Sequence, residues 1–434
     1  MNKVRVIGGG LAGVEAGYQL LKRGIGVELY EMRPSVMTPV HKTGSLAELV
    51  CSNSLKSVDE NTSQGLLKTE LEMLDSLVLR AAKKCRVPAG GALAVDREQF
   101  SAEIENELIK FGNLSIIREE CDRIEDYSIV ATGPLTSEKL SEEIKRTLGE
   151  DDLHFYDAVA PIVNAESVNM EKAFFAGRYG KGGDDYINLP LDKDEYYAFV
   201  DALINAERVI LKDFETREIF NACQPVEEMA RKGVDSLRFG PLRPVGIIDP
   251  RTDRRPYAVV QLRREDNFNK LYNIVGFQTN LKFPEQKRVF SMIPALGNAE
   301  FVRYGVMHRN TYINAPKVLD NTFAMKENKS RFFAGQICGV EGYLESAMSG
   351  LFAGVNMARL IQGKELVAPP AATACGSLMR YISSPNKDFQ PMHVSFSLMD
   401  ELNEQYRDKA KKKQAYAKRA TDEMKIFVDR YIKE

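Results

Sequence analysis

The feature that most constrains this chain is a glycine spacing near its start. In the stretch from Lys3 to Pro34, KVRVIGGGLAGVEAGYQLLKRGIGVELYEMRP, a short β-branched run (Val4, Val6, Ile7) gives way to Gly8, Gly10 and Gly13, which fit G-x-G-x-x-G. Gly8 permits a tight turn, Gly10 lets backbone approach a pyrophosphate, and Gly13 lets the following helix pack close to the strand. With Gly9, Leu11 and Ala12 they would form a phosphate-binding turn at a helix N-terminus, where backbone N–H groups point outward. The helix is predicted to run to Arg23 and stop at Gly24. A second strand, VELYE, ends on Glu31, 18 residues past Gly13, where a carboxylate would accept from a ribose 2′-hydroxyl and would disfavour a 2′-phosphate. Strand, glycines, helix, second strand and acid together predict a dinucleotide site; without the ligand they would be only a tight strand-to-helix turn.

The chain's 434 residues suffice for two or three domains of roughly 100–200 residues each. Its composition, 44% hydrophobic and 28% charged with net charge −2, is that of ordinary globular material and excludes disordered or fibrous classes. No apolar run approaches the roughly 20 residues of a membrane span, and the N-terminus starts a strand instead of a signal peptide, so a cytoplasmic protein without membrane association is expected. Cys51, Cys85, Cys121, Cys223, Cys338 and Cys375 lie far apart with no C-x-x-C. That spacing suggests neither disulfides nor a metal site nor a dithiol motif, and leaves each thiol as a buried small hydrophobe or a nucleophile.

Residues 35–60 are polar and turn-rich around a short helical patch, the texture of an active-site loop. Within it Cys51 is followed by Ser52, Asn53, Ser54 and Lys56, small donors plus a cation that would favour a thiolate. From Ser63 to Ala82, leucines at helical spacing predict one amphipathic helix, and Asp96 an N-cap for a helix to about Phe111. The strand SIVATGP, residues 128–134, ends on Gly133, where backbone would come close to a cofactor. Residues 135–327 then lose βαβ regularity and predict an inserted α+β domain. Between Arg231 and Arg264, nine Lys/Arg face three Asp, which suits a polyanion or else a solvated face with structural arginines. His308, Arg309 and Asn310 have the look of a pocket wall. In residues 330–361 a strand, a turn with Gly335, Gly339 and Gly342, and a helix with small residues on one face imply a second helix N-terminus aimed at a cofactor, unless the small face serves helix packing. The end helix carries Arg407, Lys409, Lys411, Lys412, Lys413, Lys418 and Arg419, a solvated face or a phosphate contact. The fold class expected is α/β: a Rossmann-type FAD-binding domain (1–134 and 328–434) with an insertion (135–327).

These residues carry a resemblance. LYEMRP, HKTGSLAELVCSNSLKS, VPAGGALAVDR, VATGPLTS, FYDAVAPIV, the cysteine before PVEEMA, FGPLRPVG, RRPYAVVQLR, LYNIVGFQTNLK, YGVMHRNTYIN and AGQICGVEGYLESA resemble the folate- and FAD-dependent tRNA (uracil-5-)-methyltransferases through essentially the whole chain. The sequence departs at FNACQPVEEM, where the family more often has Gly before the cysteine, and at Cys338, where it more often has Thr. The sister flavoprotein that modifies the tRNA wobble uridine shares the first and last segments but is longer and lacks ELVCSNSLKS.

The resemblance implies methylation of uracil C5 in the T-loop uridine of tRNA, with methylenetetrahydrofolate as carbon donor and FAD reduced by NADPH or NADH. The same chemistry on a ribosomal RNA uridine, and a general FAD oxidoreductase, are the alternatives. It also implies Cys51 and Cys223 as the two catalytic thiols, with Cys223 the C6 nucleophile and Cys51 the base, or the reverse. Tyr343 would stack on the pterin or flavin, and His308, Arg309 and Asn310 would hold folate.

Overall fold

The computed structural model describes residues 3–149, 153–158, 160–180, 185–209, 224–265, 269–305, 307–386 and 389–433. At its centre is a parallel sheet of five strands in the spatial order Arg331–Phe333, Ser128–Val130, Val4–Ile7, Val27–Tyr30, Leu114–Ile117. The central strand pairs on one side with Val4 opposite Val27 and on the other with Val6 opposite Ile129. Both of its neighbours cover it, so Val4 and Val6 have no exposure, and each buried aliphatic side chain contributes about 1.5–3 kcal/mol.

The helix Leu11–Lys22 follows the glycine turn and lies against the long helix Tyr343–Ile361. A Cβ on Gly350 would stand 2.0 Å from the Ala12 carbonyl oxygen, and one on Gly354 2.6 Å from that of Ala16. The small-residue face of the long helix is therefore a packing face, which brings two helix backbones into direct contact. This places both helix N-termini at the C-terminal ends of the strands.

The leucine pattern from Ser63 to Ala82 is not one helix. Helices Ser63–Met73 and Leu77–Lys84 are separated at Asp75, which has φ 54°. The break has a partner outside the segment: buried Glu15 accepts from Ser76 Oγ and from the N–H groups of Leu77 and Val78. The periodicity runs through the break because both helices turn their leucines to the same core.

The insertion builds a second core around a six-stranded sheet ordered Phe174–Phe175, Tyr186–Leu191, Ala258–Arg264, Leu271–Ile274, Ile162–Asn164, Phe301–Arg303. Its helix Lys193–Asn205 starts in a capping box between Asp192 and Glu195, and Phe199, Phe277 and Phe290 fill the space beneath. This core draws on residues from Val163 to Ala299. Leu140 and Ile144, and the run from Tyr312 to Met325, pack instead into the first core, so the insertion is narrower than 135–327. Both of those flanking segments carry amphipathic patterns that fit either core. Between the cores, Leu153–Ala158 and Met307–Tyr312 pair as an antiparallel ribbon.

Candidate functional site

A cleft opens at the C-terminal ends of the parallel strands, where ligands bind in open α/β sheets. It is lined by Gly8, Gly9, Gly10, Leu11, Ala12, Glu31, Cys51, Gly133, Gly335 and Tyr343, among others. Gly8 has φ +106°, and a Cβ there would stand 2.5 Å from the Ala131 carbonyl oxygen. A Cβ on Gly10, by contrast, would meet nothing within 4 Å, which leaves this backbone open to a ligand. Gly10 caps the helix Leu11–Lys22 without any side-chain hydrogen bond, and Gly342 does the same for Tyr343–Ile361. Two sets of first-turn N–H groups are thus free of side-chain caps at the cleft, an arrangement suited to anionic or electron-rich groups. Gly13 and Gly342 do not line it. A Cβ on Gly13 would lie 1.8 Å from Gly8 O, so this glycine serves helix-to-strand packing, and Gly342, at φ +119°, lies under the Glu345 carboxylate.

Glu31 stands at the end of the second strand and lines the cleft, but its oxygens are already engaged. Oε1 accepts from the backbone N–H and Nε of Arg33 at 3.0 and 2.9 Å; Oε2 accepts from Gly9 N–H and Arg33 Nη2, both at 3.0 Å. Burial works to raise this carboxyl, and the fork of Arg33 outweighs it, so Glu31 sits below its ordinary value. A ribose hydroxyl would share an oxygen with these donors rather than find a free carboxylate. Arg33, which the sequence pattern did not single out, also reaches Glu48 Oε2 at 2.8 Å. His41, another wall residue, is half-buried close to Arg33 and is held neutral, its value brought down to about 4 by burial and by Arg33.

The loop around Cys51 has turns and a short strand, Ser54–Ser57, in place of the expected helical patch. It is held from three directions. The Tyr343 phenol oxygen accepts from the N–H groups of Cys51 and Ser52 at 3.0 and 3.1 Å, and burial keeps that phenol neutral by raising its pKa. Arg97 Nη1 donates to the carbonyls of Leu49 and Val50 at 2.7 and 3.1 Å while Nε pairs with Glu265 at 2.7 Å. From the insertion, Arg263 donates to Ser52 Oγ and Asn53 Oδ1 at 2.7 and 3.1 Å, and Asn53 Nδ2 donates to the Arg264 carbonyl at 2.8 Å. Cys51 itself is half-buried on the cleft wall. Lys56 is not its cation: its ammonium faces Glu345 at 3.7 Å. Arg97 and Arg303 lie within electrostatic reach of Cys51.

Cys223 lies outside the described residues. His308, Arg309 and Asn310 are described through their backbone, opposite Asp157, Tyr156 and Phe155 in the ribbon; Thr311 N–H donates to the Pro134 carbonyl at 2.9 Å, which brings this strand beside the Gly133 turn of the cleft. The arginine-rich stretch 231–264 is largely spent on structure: Arg238 stacks on Tyr257 at 3.7 Å, Arg251 pairs with Asp249 at 2.7 Å, and Arg263 is buried against the Cys51 loop. Cys338 is buried, donates to the Gly335 carbonyl, and is pushed up to about 12, so it is an inert thiol. Among the described residues no cluster of His, Cys, Asp and Glu could hold a metal, and no helix is long and apolar enough to cross a membrane.

Comparison with known proteins follows the same outline. Residues 3–365 match the family described as glucose inhibited division protein A. The chain is 54% identical over 428 residues to the methylenetetrahydrofolate--tRNA-(uracil-5-)-methyltransferase TrmFO of Anoxybacillus flavithermus, covering 98% of this chain and 99% of that protein. It is 52% identical over 432 residues to the protein of the same name from Acetivibrio thermocellus, covering 99% of each. Among solved structures, Aquifex aeolicus GidA in its form II crystal superposes with a TM-score of 0.70 at 16% identity, over 98% of this chain and 73% of that one, a likeness of fold.

Proposed function

The chain belongs to the glucose inhibited division protein A family and, within it, to the methylenetetrahydrofolate--tRNA-(uracil-5-)-methyltransferases, and from that premise we propose that it methylates C5 of the T-loop uridine of tRNA with carbon from methylenetetrahydrofolate. The observation that carries the reading is a half-buried thiol, Cys51, clamped on the wall of the cleft that the glycine turn lines. The cleft residues fit FAD: a turn open at Gly10, two helix N-termini without side-chain caps, and glycine backbone at Gly133 and Gly335. Bound there, reduced FAD supplies the two electrons that take a methylene carbon to a methyl, and NADPH or NADH is the proposed source of those electrons.

The chain's own residues would supply the rest. Uracil C5 is a poor nucleophile until a thiolate adds to C6 and turns C5 into an enolate carbon. We assign that addition to Cys223. Cys51 then takes the C5 proton after the new carbon–carbon bond has formed, which lets the bond between that carbon and the folate nitrogen break and tetrahydrofolate leave; once the carbon is at the methyl level, the C6–sulfur bond breaks as the ring recovers its double bond. Tyr343 and Arg97 act by holding the backbone on either side of Cys51. His308, Arg309 and Asn310 are proposed to hold folate.

A T-arm RNA with 5-fluorouridine at the target, which has no C5 proton to lose, tests the thiols. Incubated with methylenetetrahydrofolate and reductant, the enzyme should form a covalent adduct, Cys223→Ala should form none, and Cys51→Ala should form it without turnover on normal RNA. The opposite pattern would exchange the two roles. Normal methylation by both variants would sink the two-thiol mechanism.

A further inference from the structure

The strand Phe301–Arg303 forms the edge of the insertion sheet that faces the Cys51 loop. Arg303 is half-buried, and neither its guanidinium nor the ammonium of Lys42 has a hydrogen-bond or ion-pair partner among the described residues. Arg303 is lowered below its ordinary value by burial and by Arg97, and Lys42, though exposed, by partial burial and by Arg303 and Arg97. The carboxylates facing them are committed elsewhere. Glu48 takes the Lys42 backbone N–H on one oxygen and Arg33 with Thr43 on the other, and Glu265 pairs with Arg97. His41, on the same loop, is neutral. A half-buried guanidinium without a paired carboxylate favours an anion, and the Lys42 ammonium beside it adds to that preference.

The next residue starts a second feature. The Tyr304 ring stacks on Phe301 at 5.5 Å and 9°, and on Phe283 at 5.1 Å and 19°. Phe290 abuts Phe301 at 6.4 Å and anchors the column in the insertion core. At the outer end Phe283 is 53% exposed. A single exposed aromatic is common. One that ends a parallel column rooted in the core, with an unpaired guanidinium on the residue before Tyr304, has the composition of a single-strand nucleic-acid platform, in which bases stack on rings and phosphates meet cations.

We propose that this edge holds the RNA next to the target uridine, one base against Phe283 and the backbone phosphate on Arg303 and Lys42. The proposal rests on the RNA-methylating reading above and adds where the strand lies. A folate carboxylate could satisfy the cations but would bring no base to Phe283.

The test is anisotropy of a labelled T-arm hairpin RNA with the FAD-loaded enzyme at about 50–200 mM salt. Phe283→Ala should raise Kd about 10-fold with the salt dependence unchanged, as expected for one lost base stack, and Phe283→Trp should restore it. Arg303→Gln should weaken binding and flatten the slope of log Kd against log salt by about 0.7. Flavin content should stay the same in all three. Wild-type RNA affinity in both Phe283→Ala and Arg303→Gln overturns the proposal. So does an unchanged RNA slope in Arg303→Gln with weakened methylenetetrahydrofolate binding measured without RNA, which would hand the cation to folate. Failure of the unsubstituted enzyme to bind the hairpin would instead defeat the functional reading itself.

Discussion

Tyr343→Phe isolates the contact that holds the reactive loop. The change keeps the ring and its burial and removes one oxygen, the acceptor for Cys51 N–H and Ser52 N–H. Arg97 and Arg263 also hold this loop, but a guanidinium only donates and cannot take over as acceptor for these two N–H groups. A buried donor left unpaired costs about 1–3 kcal/mol. Because the loop is half-buried and water can reach part of it, we take the lower half of that range for each, or about 2–4 kcal/mol for the pair. That energy appears as easier local opening, which corresponds to amide exchange at Cys51 and Ser52 faster by about 30- to 900-fold. Exchange in the central strand, Val4–Ile7, should be unaffected. Hydrogen exchange with peptide-level mass spectrometry reads both regions in one experiment, and alkylation of Cys51 should accelerate in parallel. Protection of the loop within about threefold of the original would refute the claim that Tyr343 anchors it.

Two further outcomes follow from other parts of the fold. Gly10→Val should fold with near-unchanged thermal stability, since no protein atom lies within 4 Å of a Cβ there, yet purify without flavin absorbance; a yellow variant would remove Gly10 from the pyrophosphate path. Glu70 is fully buried, accepts from the N–H groups of Ala374 and Cys375, and is pushed up to about 7 by burial from an ordinary 4.5. A carboxyl raised on folding binds more protons in the folded state between those values, so its contribution is present below 4.5 and is lost as pH rises to about 7. Glu70→Gln should remove this slope, at most about 1.4 kcal/mol per pH unit, in urea unfolding between pH 5 and 7. Identical pH dependence in the two proteins would refute it.

How much of this was legible in the sequence depends on the range of the interaction. The glycine turn, the Asp96 cap and the helix after Gly342 are local, and their residues act on neighbours a few positions away. The split at Asp75 had a local mark, since Ser76 caps the second helix through Leu79 N–H, but the leucine period ran across it and the further acceptor, Glu15, comes from another element. Glu31 was read as a free acceptor because its engagement by Arg33 depends on how the chain turns after the strand. The arginine-rich stretch looked like a surface because composition counts charges without their partners, and Arg263 is turned inward. The Phe283–Tyr304–Phe301 column joins a helix to an edge strand across a turn, and no spacing rule announces it.

The clasp on the Cys51 loop has one more consequence, for how such a protein can change over time. Ser52 and Asn53 come from the cofactor-binding unit, while Arg263, the Arg264 carbonyl and Glu265 come from the insertion, and between them they fix one five-residue stretch. The two units therefore cannot be exchanged as modules. A chimera that receives a foreign insertion would keep its fold in each half and still misplace its thiol unless the graft brings an arginine and an acid at these two positions. Substitutions at Asn53 and at Arg263 should accordingly be tolerated in pairs and punished singly, so that inheritance acts on the joint rather than on either half.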